Sequence, residues 1–146
     1  MRTIHKVTPV IDCISFDLLP DGSVELADPP CKPPLCILCH RPSHRFVTRS
    51  SNRNGNAGRP YYKCSPCGKF LCFDDRGGNS LRNPPCFCDV SSKLQVTGRE
   101  RTPPRKLHYV GRLGQCNFYR QCYNRMEEEV PLSEKFLDNF AHLGIA

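Results

Sequence analysis

The fold of this chain depends on two short stretches, Cys36-Ile37-Leu38-Cys39 and Cys64-Ser65-Pro66-Cys67. Two cysteines separated by two residues lie on a tight turn that can present both sulfurs to one metal ion, and two such turns complete a tetrahedral site. The spacing therefore predicts a four-thiolate zinc site. Cys67 is favoured as the fourth ligand because the two-residue spacer forms the tighter turn, and Cys72 is the alternative.

The composition indicates a protein that needs such a site. The chain has 146 residues with 14 prolines, 10 glycines, no tryptophan and 38% hydrophobic residues. Short strands and many turns bury too little apolar area to offset the loss of chain entropy. A large core is therefore not expected, and 11 cysteines could stabilise the fold as disulfides or as metal ligands.

Several features favour reduced thiols. The first ten residues contain no uninterrupted apolar run followed by a cleavage site, and no stretch reaches the length of a membrane span. An odd number of cysteines would also leave one thiol unpaired. We therefore expect an intracellular protein with metal-binding thiols and no membrane partner.

The order of signals around the first cysteine stretch returns later in the chain. Asn83-Pro84-Pro85-Cys86-Phe87-Cys88 resembles the segment before Cys39, and Gln115-Cys116-Asn117-Phe118-Tyr119 resembles Leu71-Cys72-Phe73, which aligns Cys116 with Cys72. Two copies of one module of about 40 residues are indicated. If Tyr109-Val110 aligns with Tyr62-Lys63, Gly111 stands where Cys64 stands in the first copy, and the second copy lacks one ligand.

The second module keeps three cysteines that could form a second metal site. These are Cys86, Cys88 and Cys116, and the candidates for a fourth ligand are Cys122 and His108. A relic of the module that is packed without metal is the alternative.

The chain is predicted to divide into four segments. They are an acidic N-terminal segment with hairpin-like strands (1–33), a zinc-ribbon module (34–80), a second, degenerate module (81–120) and an acidic tail (121–146). In the tail, Phe136, Leu137, Phe140 and Leu143 fall on one helical face. The predicted fold class is a small, mainly-β protein with tandem zinc-ribbon-like modules of short antiparallel strands and a short C-terminal helix. Packing on the core is the favoured role of that helix, and docking a protein partner is the alternative.

Basic residues cluster in the first module. From Cys36 to Phe73 there are seven Lys and Arg residues and no Asp or Glu, within a chain of net charge +7. Aromatic residues lie among these cations, so bases could stack on exposed rings while cations contact phosphates. The predicted nucleic-acid contacts are Arg49, Arg53, Arg59, Tyr61, Tyr62 and Lys63. Because strand residues alternate between faces, only one of the two tyrosines is expected to be exposed.

The run from Asn52 to Cys64, which includes Gly58-Arg59-Pro60-Tyr61-Tyr62-Lys63-Cys64, and the closing Phe73-Asp74-Asp75 resemble the GRF-type zinc finger. They are most similar to the fungal GRF-like zinc ribbon proteins, over about residues 34–120. The resemblance implies that Cys64 is a zinc ligand and that the protein binds single-stranded nucleic acid. Gly111 departs from the family pattern in the second module.

These features together predict a binding protein rather than an enzyme. No phosphate-binding loop, nucleophile elbow or spaced pair of catalytic carboxylates is present in the sequence. The leading hypothesis is a structural Zn²⁺ protein that binds single-stranded DNA or RNA. The alternative is a protein-interaction adaptor whose zinc ribbons are purely structural. The suspected ligand alone suggests a nuclear location.

Overall fold

The computed structural model describes residues 16–52, 55–97, 106–122 and 144–146. Six short strands form two three-stranded antiparallel sheets. The first sheet has the order β1-β2-β3 and the second the order β4-β5-β6. The strands are β1 (His44–Val47), β2 (Pro60–Lys63), β3 (Phe70–Phe73), β4 (Lys93–Val96), β5 (Leu107–Val110) and β6 (Tyr119–Gln121).

The register of the first sheet places three aromatic rings on one face. In its register, Phe46 lies opposite Tyr61 and Tyr61 lies opposite Phe73, whereas Arg45 lies opposite Tyr62. Since successive strand residues point to opposite faces, the register collects the first three rings on one side. The register shifts between Tyr62 and Lys63.

The second sheet repeats this arrangement with a different core. Leu94 lies opposite Tyr109, and both are buried together with Leu107. Val24 from the N-terminal part and Ile145 from the last residues complete the same cluster. The largest apolar core among the described residues therefore belongs to the second sheet and the segments that cover it, and the first sheet contributes nothing to this cluster.

The N-terminal part that is described reaches this core through a turn. An antiparallel bridge joins Leu18 to Val24, and Asp21 accepts hydrogen bonds from the backbone N–H and the hydroxyl of Ser23. Gly22 closes the turn with a φ of 88°, a conformation that glycine adopts without steric cost. The turn therefore delivers Val24 to the core that covers the second sheet.

A buried lysine joins the two sheets. Lys93, the first residue of β4, is fully buried, and its Nζ donates to Asp75 Oδ1 (2.9 Å), to the Asp75 carbonyl (3.1 Å) and to Asn79 Oδ1 (3.2 Å). Asp75 also accepts two hydrogen bonds from the Arg59 guanidinium, at 2.7 and 2.9 Å. We refer to Arg59, Asp75, Asn79 and Lys93 as the charge network. It holds the segment that follows β3 against the start of β4.

The predicted fold class is wrong in its C-terminal helix. The described residues contain two β-sheets and no helix, and the predicted helical face, from Phe136 to Leu143, lies outside them. Only one short amphipathic stretch supported that prediction, and isolated helices of this length are marginal in water. The Gly144 carbonyl instead accepts a hydrogen bond from the Gly78 N–H, which fixes the adjacent Ile145 in the core.

In the described part of the chain, no helix is long and apolar enough to cross a membrane.

Candidate metal centres and aromatic face

The four cysteines of the first module converge. The Sγ atoms of Cys36, Cys39, Cys64 and Cys67 lie within 4.8 Å of one another, and the Cys39 and Cys64 sulfurs are 3.5 Å apart. Cys36 and Cys64 are buried, whereas Cys67 is exposed. Four sulfur donors at this spacing fit the tetrahedral set that zinc prefers in structural sites.

Two matched turns position these sulfurs. The His40 N–H donates to the Cys36 carbonyl, and the Gly68 N–H donates to the Cys64 carbonyl, each at 2.8 Å. His40 and Gly68 both have positive φ, 63° and 72°. The turns therefore close in the same way, one on each side of the metal position.

Hydrogen bonds from the backbone favour the thiolate at Cys36. The Cys39 N–H is the main cause, and with the Leu38 N–H it lowers the Cys36 pKa to about 7. The Cys39 and Cys64 sulfurs instead raise the pKa of Cys67 to about 12, so Cys36 is the thiol of this group that loses its proton more readily.

Cys72, the alternative fourth ligand, belongs to neither cysteine group. It is 1% exposed in β3, opposite Tyr62, and burial raises its pKa to about 12. A Cβ built on Gly114 would lie 2.8 Å from the Cys72 sulfur, so this thiol packs against the second module. The structure places it as a neutral, packed side chain.

A second group contains three cysteines. The Sγ atoms of Cys86, Cys88 and Cys116 lie within 4.8 Å of one another, and Cys86 is buried. The two predicted fourth ligands are elsewhere. His108 stacks on Tyr119 with ring centroids 5.0 Å apart, and Cys122 is buried in the apolar core.

The strand register changes the alignment of the two modules. Cys116 stands three positions before β6 starts at Tyr119, as Cys67 stands three positions before β3 starts at Phe70. Cys116 therefore corresponds to Cys67. The alignment of Cys116 with Cys72 that the sequence predicts is wrong. Gly111 follows β5 directly, as Cys64 follows β2, which agrees with the predicted equivalence of those two positions.

One face of the first sheet presents a row of aromatic rings. The Phe46 and Tyr61 rings stack with centroids 5.7 Å apart, Tyr61 and Phe70 are also 5.7 Å apart, and Phe70 meets Phe73 edge-on at 5.0 Å. Phe46 and Phe70 are 38% and 40% exposed. We call these four residues the aromatic face.

A cation lies at each end of the aromatic face, and within the described residues only one of the two is paired with an acidic residue. At one end the Lys63 Nζ lies 5.9 Å from the centre of the Phe46 ring. At the other end the Arg59 guanidinium lies 3.8 Å from the centre of the Phe73 ring, and Asp75 neutralises it. No ion pair connects Arg41, Arg49, Lys63 or Lys69 to an acidic residue within the described ranges.

The structure separates the residues predicted to contact nucleic acid. Tyr61 lies on the aromatic face, whereas Tyr62 is 5% exposed and donates to Asp74 Oδ2 at 3.3 Å. Burial, with the Asp74 charge, raises the pKa of Tyr62. Arg49 is exposed, and Arg53 lies outside the described residues.

Phe46 and Phe70 were not among those predicted contacts. Both lie on the aromatic face with Tyr61, and the signal for Phe46 was present in the sequence. The residue that pairs with Tyr61 across an antiparallel ladder must share its face, although the register is needed to identify it.

Comparisons with known proteins found a family model that matches the first module. Residues 33–77 match the family model of the GRF-like zinc ribbon domain, which confirms the resemblance seen in the sequence. The chain is also similar to the crystal structure of human NEIL3 tandem zinc finger GRF domains. The identity is 24%, with 62% of this chain and 99% of that chain covered and a TM-score of 0.26. No curated protein matches the chain.

Proposed function

We propose that this chain is a zinc-stabilised, non-catalytic protein that binds single-stranded nucleic acid on the aromatic face. One observation supports this above the others. Four rings lie in a row on one side of a sheet, two of them about 40% exposed, in a module rich in cations that have no acidic partner.

Zinc is proposed for the first cysteine group because of its donors and their arrangement. Two buried and two more accessible cysteines converge from two turns, one before β1 and one between β2 and β3. When bound, the ion cross-links the two turns. A sheet of three four-residue strands has little apolar core of its own, so this cross-link would supply a large part of its stability.

Stacking would provide most of the affinity on the aromatic face. A base stacked on an aromatic side chain contributes about 1–3 kcal/mol, and any base can stack because every base has a π-face. The unpaired cations Lys63 and Lys69 are suited to phosphate contacts, because they would exchange counterions rather than break an internal ion pair. Binding should therefore tolerate sequence and depend on salt.

The predicted contacts take different roles in this proposal. Tyr61 and Lys63 act directly, and Arg49 is exposed and available to the phosphate backbone. Arg59 instead supports the face, since its guanidinium is bound to Asp75 and covers the Phe73 ring. Tyr62 packs beneath the sheet.

The experiment measures fluorescence anisotropy of labelled oligo-dT, oligo-rU and a DNA duplex with the zinc-loaded protein, over a range of salt concentrations. Single strands should bind more tightly than the duplex, with log K falling by about 0.7 per neutralised phosphate against log salt. Phe46→Ala should weaken binding about fivefold or more, since it removes one exposed stacking ring.

Val47→Ala is the matched control. Val47 is 58% exposed and neighbours Phe46 on β1, but it points to the opposite side of the sheet. It should leave affinity unchanged. Equal affinities for the two variants, or no binding at low salt by protein that retains its zinc, would refute the nucleic-acid proposal. The second result would favour the protein-interaction adaptor.

A further inference from the structure

The three-cysteine group of the second module has an incomplete set of ligands. Its sulfurs come from the turn at Cys86 and Cys88 and from Cys116, which precedes β6. The turn closes as in the first module, because the Asp89 N–H donates to the Cys86 carbonyl at 2.9 Å and Asp89 has a φ of 65°. Its spacer is one residue shorter, yet both sulfurs still face Cys116.

Gly111 occupies the place of the missing ligand. It follows β5 as Cys64 follows β2, and it is buried. A Cβ built there would lie 2.8 Å from the Cys116 sulfur, closer than real Cβ atoms come to other atoms. The backbone of Gly111 therefore borders the cysteine group directly and offers no donor side chain to it.

No other described cysteine or histidine completes the set. The group that converges contains three residues only, in the part of the chain that the structure describes. Cys88 and Cys116 are partly exposed, in contrast to the buried Cys86. A fourth ligand can therefore come from solution.

We propose that Cys86, Cys88 and Cys116 form an exchangeable zinc site, in which a water molecule or another small neutral donor fills the fourth position. Zinc with three protein ligands keeps an open position of this kind, whereas four protein ligands close the coordination sphere. A neutral donor is favoured because three thiolates already give the ion and its ligands a net negative charge. This site would release its metal more readily than the four-cysteine site. The inference is independent of nucleic-acid binding.

The test loads the full chain with Co²⁺, whose visible absorption reports the ligands of a zinc site. The native protein should take up two equivalents, and Cys88→Ser should take up one. Imidazole should change the spectrum of the native protein and leave that of Cys88→Ser unchanged, because only the three-cysteine site has a free position. A competing chelator should remove one of the two native equivalents first.

Two substitutions at Gly111 sharpen the assignment. Gly111→Cys should abolish the response to imidazole by supplying a fourth thiolate, whereas Gly111→Ala adds a Cβ without a donor and should not. The Gly111 φ is not in the left-handed region, so the backbone tolerates a side chain, although the Cys116 sulfur must shift. Uptake of a single equivalent by the native protein would overturn the proposal. An unchanged spectrum of the native protein in imidazole would overturn it as well, and neither result depends on the Gly111 variants folding.

Discussion

Replacing Asp75 by Asn tests whether the charge network stabilises the fold. The carboxylate accepts from Arg59 at 2.7 and 2.9 Å and from Lys93 at 2.9 Å. Asn has nearly the same shape and one acceptor oxygen, so the substitution removes the negative charge and leaves a buried lysine beside a partly buried arginine. We expect a substantial loss of stability at neutral pH, because uncompensated buried charge is costly.

The expected loss in the free energy of unfolding follows from the pKa of Asp75. Burial alone would raise it, but the hydrogen bonds and charges of Arg59 and Lys93 lower it from 3.8 to about 2. At 1.36 kcal/mol per pH unit, and allowing for the quarter of the side chain that solvent reaches, the ionised form contributes about 2 kcal/mol. Since the folded-state pKa is the lower one, this contribution is complete above pH 4 and is lost as the pH falls toward 2.

Asp74→Asn is the control for this measurement. Asp74 is the preceding residue. It accepts from Arg45, whose side chain is 52% exposed, and from the Tyr62 hydroxyl, which an amide oxygen can still accept from in the variant. An ion pair with an exposed partner contributes little, so we expect a loss below about 1 kcal/mol. Urea unfolding at pH 7, followed by circular dichroism with zinc held at one concentration, gives both free energies of unfolding.

Measuring Asp75→Asn in a Lys93→Met protein identifies the cause of the lost stability. In Lys93→Met the buried cation is absent, so Asp75→Asn no longer leaves it without a counter-charge and should cost less. The two substitutions should therefore show a coupling free energy, which a double-mutant cycle measures. The reasoning fails if Asp75→Asn costs no more than Asp74→Asn, or if its cost is the same in both backgrounds.

Two further predictions concern zinc and backbone packing. Cys64→Ser should lose the metal of the four-cysteine group and unfold the first sheet, whereas Cys31→Ser, at an exposed cysteine, should keep the metal and the sheet. Elemental analysis measures the metal and circular dichroism the sheet. Equal metal contents in the two variants would contradict the prediction. Gly78→Ala should prevent folding, because Gly78 has a φ of 81° and a Cβ there would lie 2.1 Å from the Leu94 carbonyl oxygen. Gly68→Ala, at φ 72° with open space around it, should cost only about 1 kcal/mol in urea unfolding; similar losses in the two glycine variants would disprove the packing argument.

The sequence was most informative where chemistry depends on local spacing. Two cysteines with a two-residue spacer must lie close together whatever the rest of the chain does, so the grouping around Cys36 and Cys64 could be expected before any fold was known. The alternation of strand residues likewise predicted that one of Tyr61 and Tyr62 would be buried, though not which one.

The remaining features depend on contacts between distant parts of the chain. The sequence predicts Arg59 as a nucleic-acid contact from its place among basic and aromatic residues, but it does not reveal the ion pair between Arg59 and Asp75. The repeat alignment failed at Cys116 because only the strand register fixes the ladder position of that residue. The predicted C-terminal helix rested on local signals, chiefly the periodicity of apolar residues, which cannot show how the last residues meet the core.

The charge network extends beyond the segment that matches the family model. The family match ends at residue 77, between Asp75 and its partners Asn79, which donates to the Asp75 carbonyl, and Lys93, which donates to the Asp75 carboxylate. A fragment cut at that boundary would keep all four cysteines of the first group and all three strands of its sheet. It would also remove the lysine that the second module places against the Asp75 carboxylate. Excising either module should therefore yield a less stable domain than the intact pair.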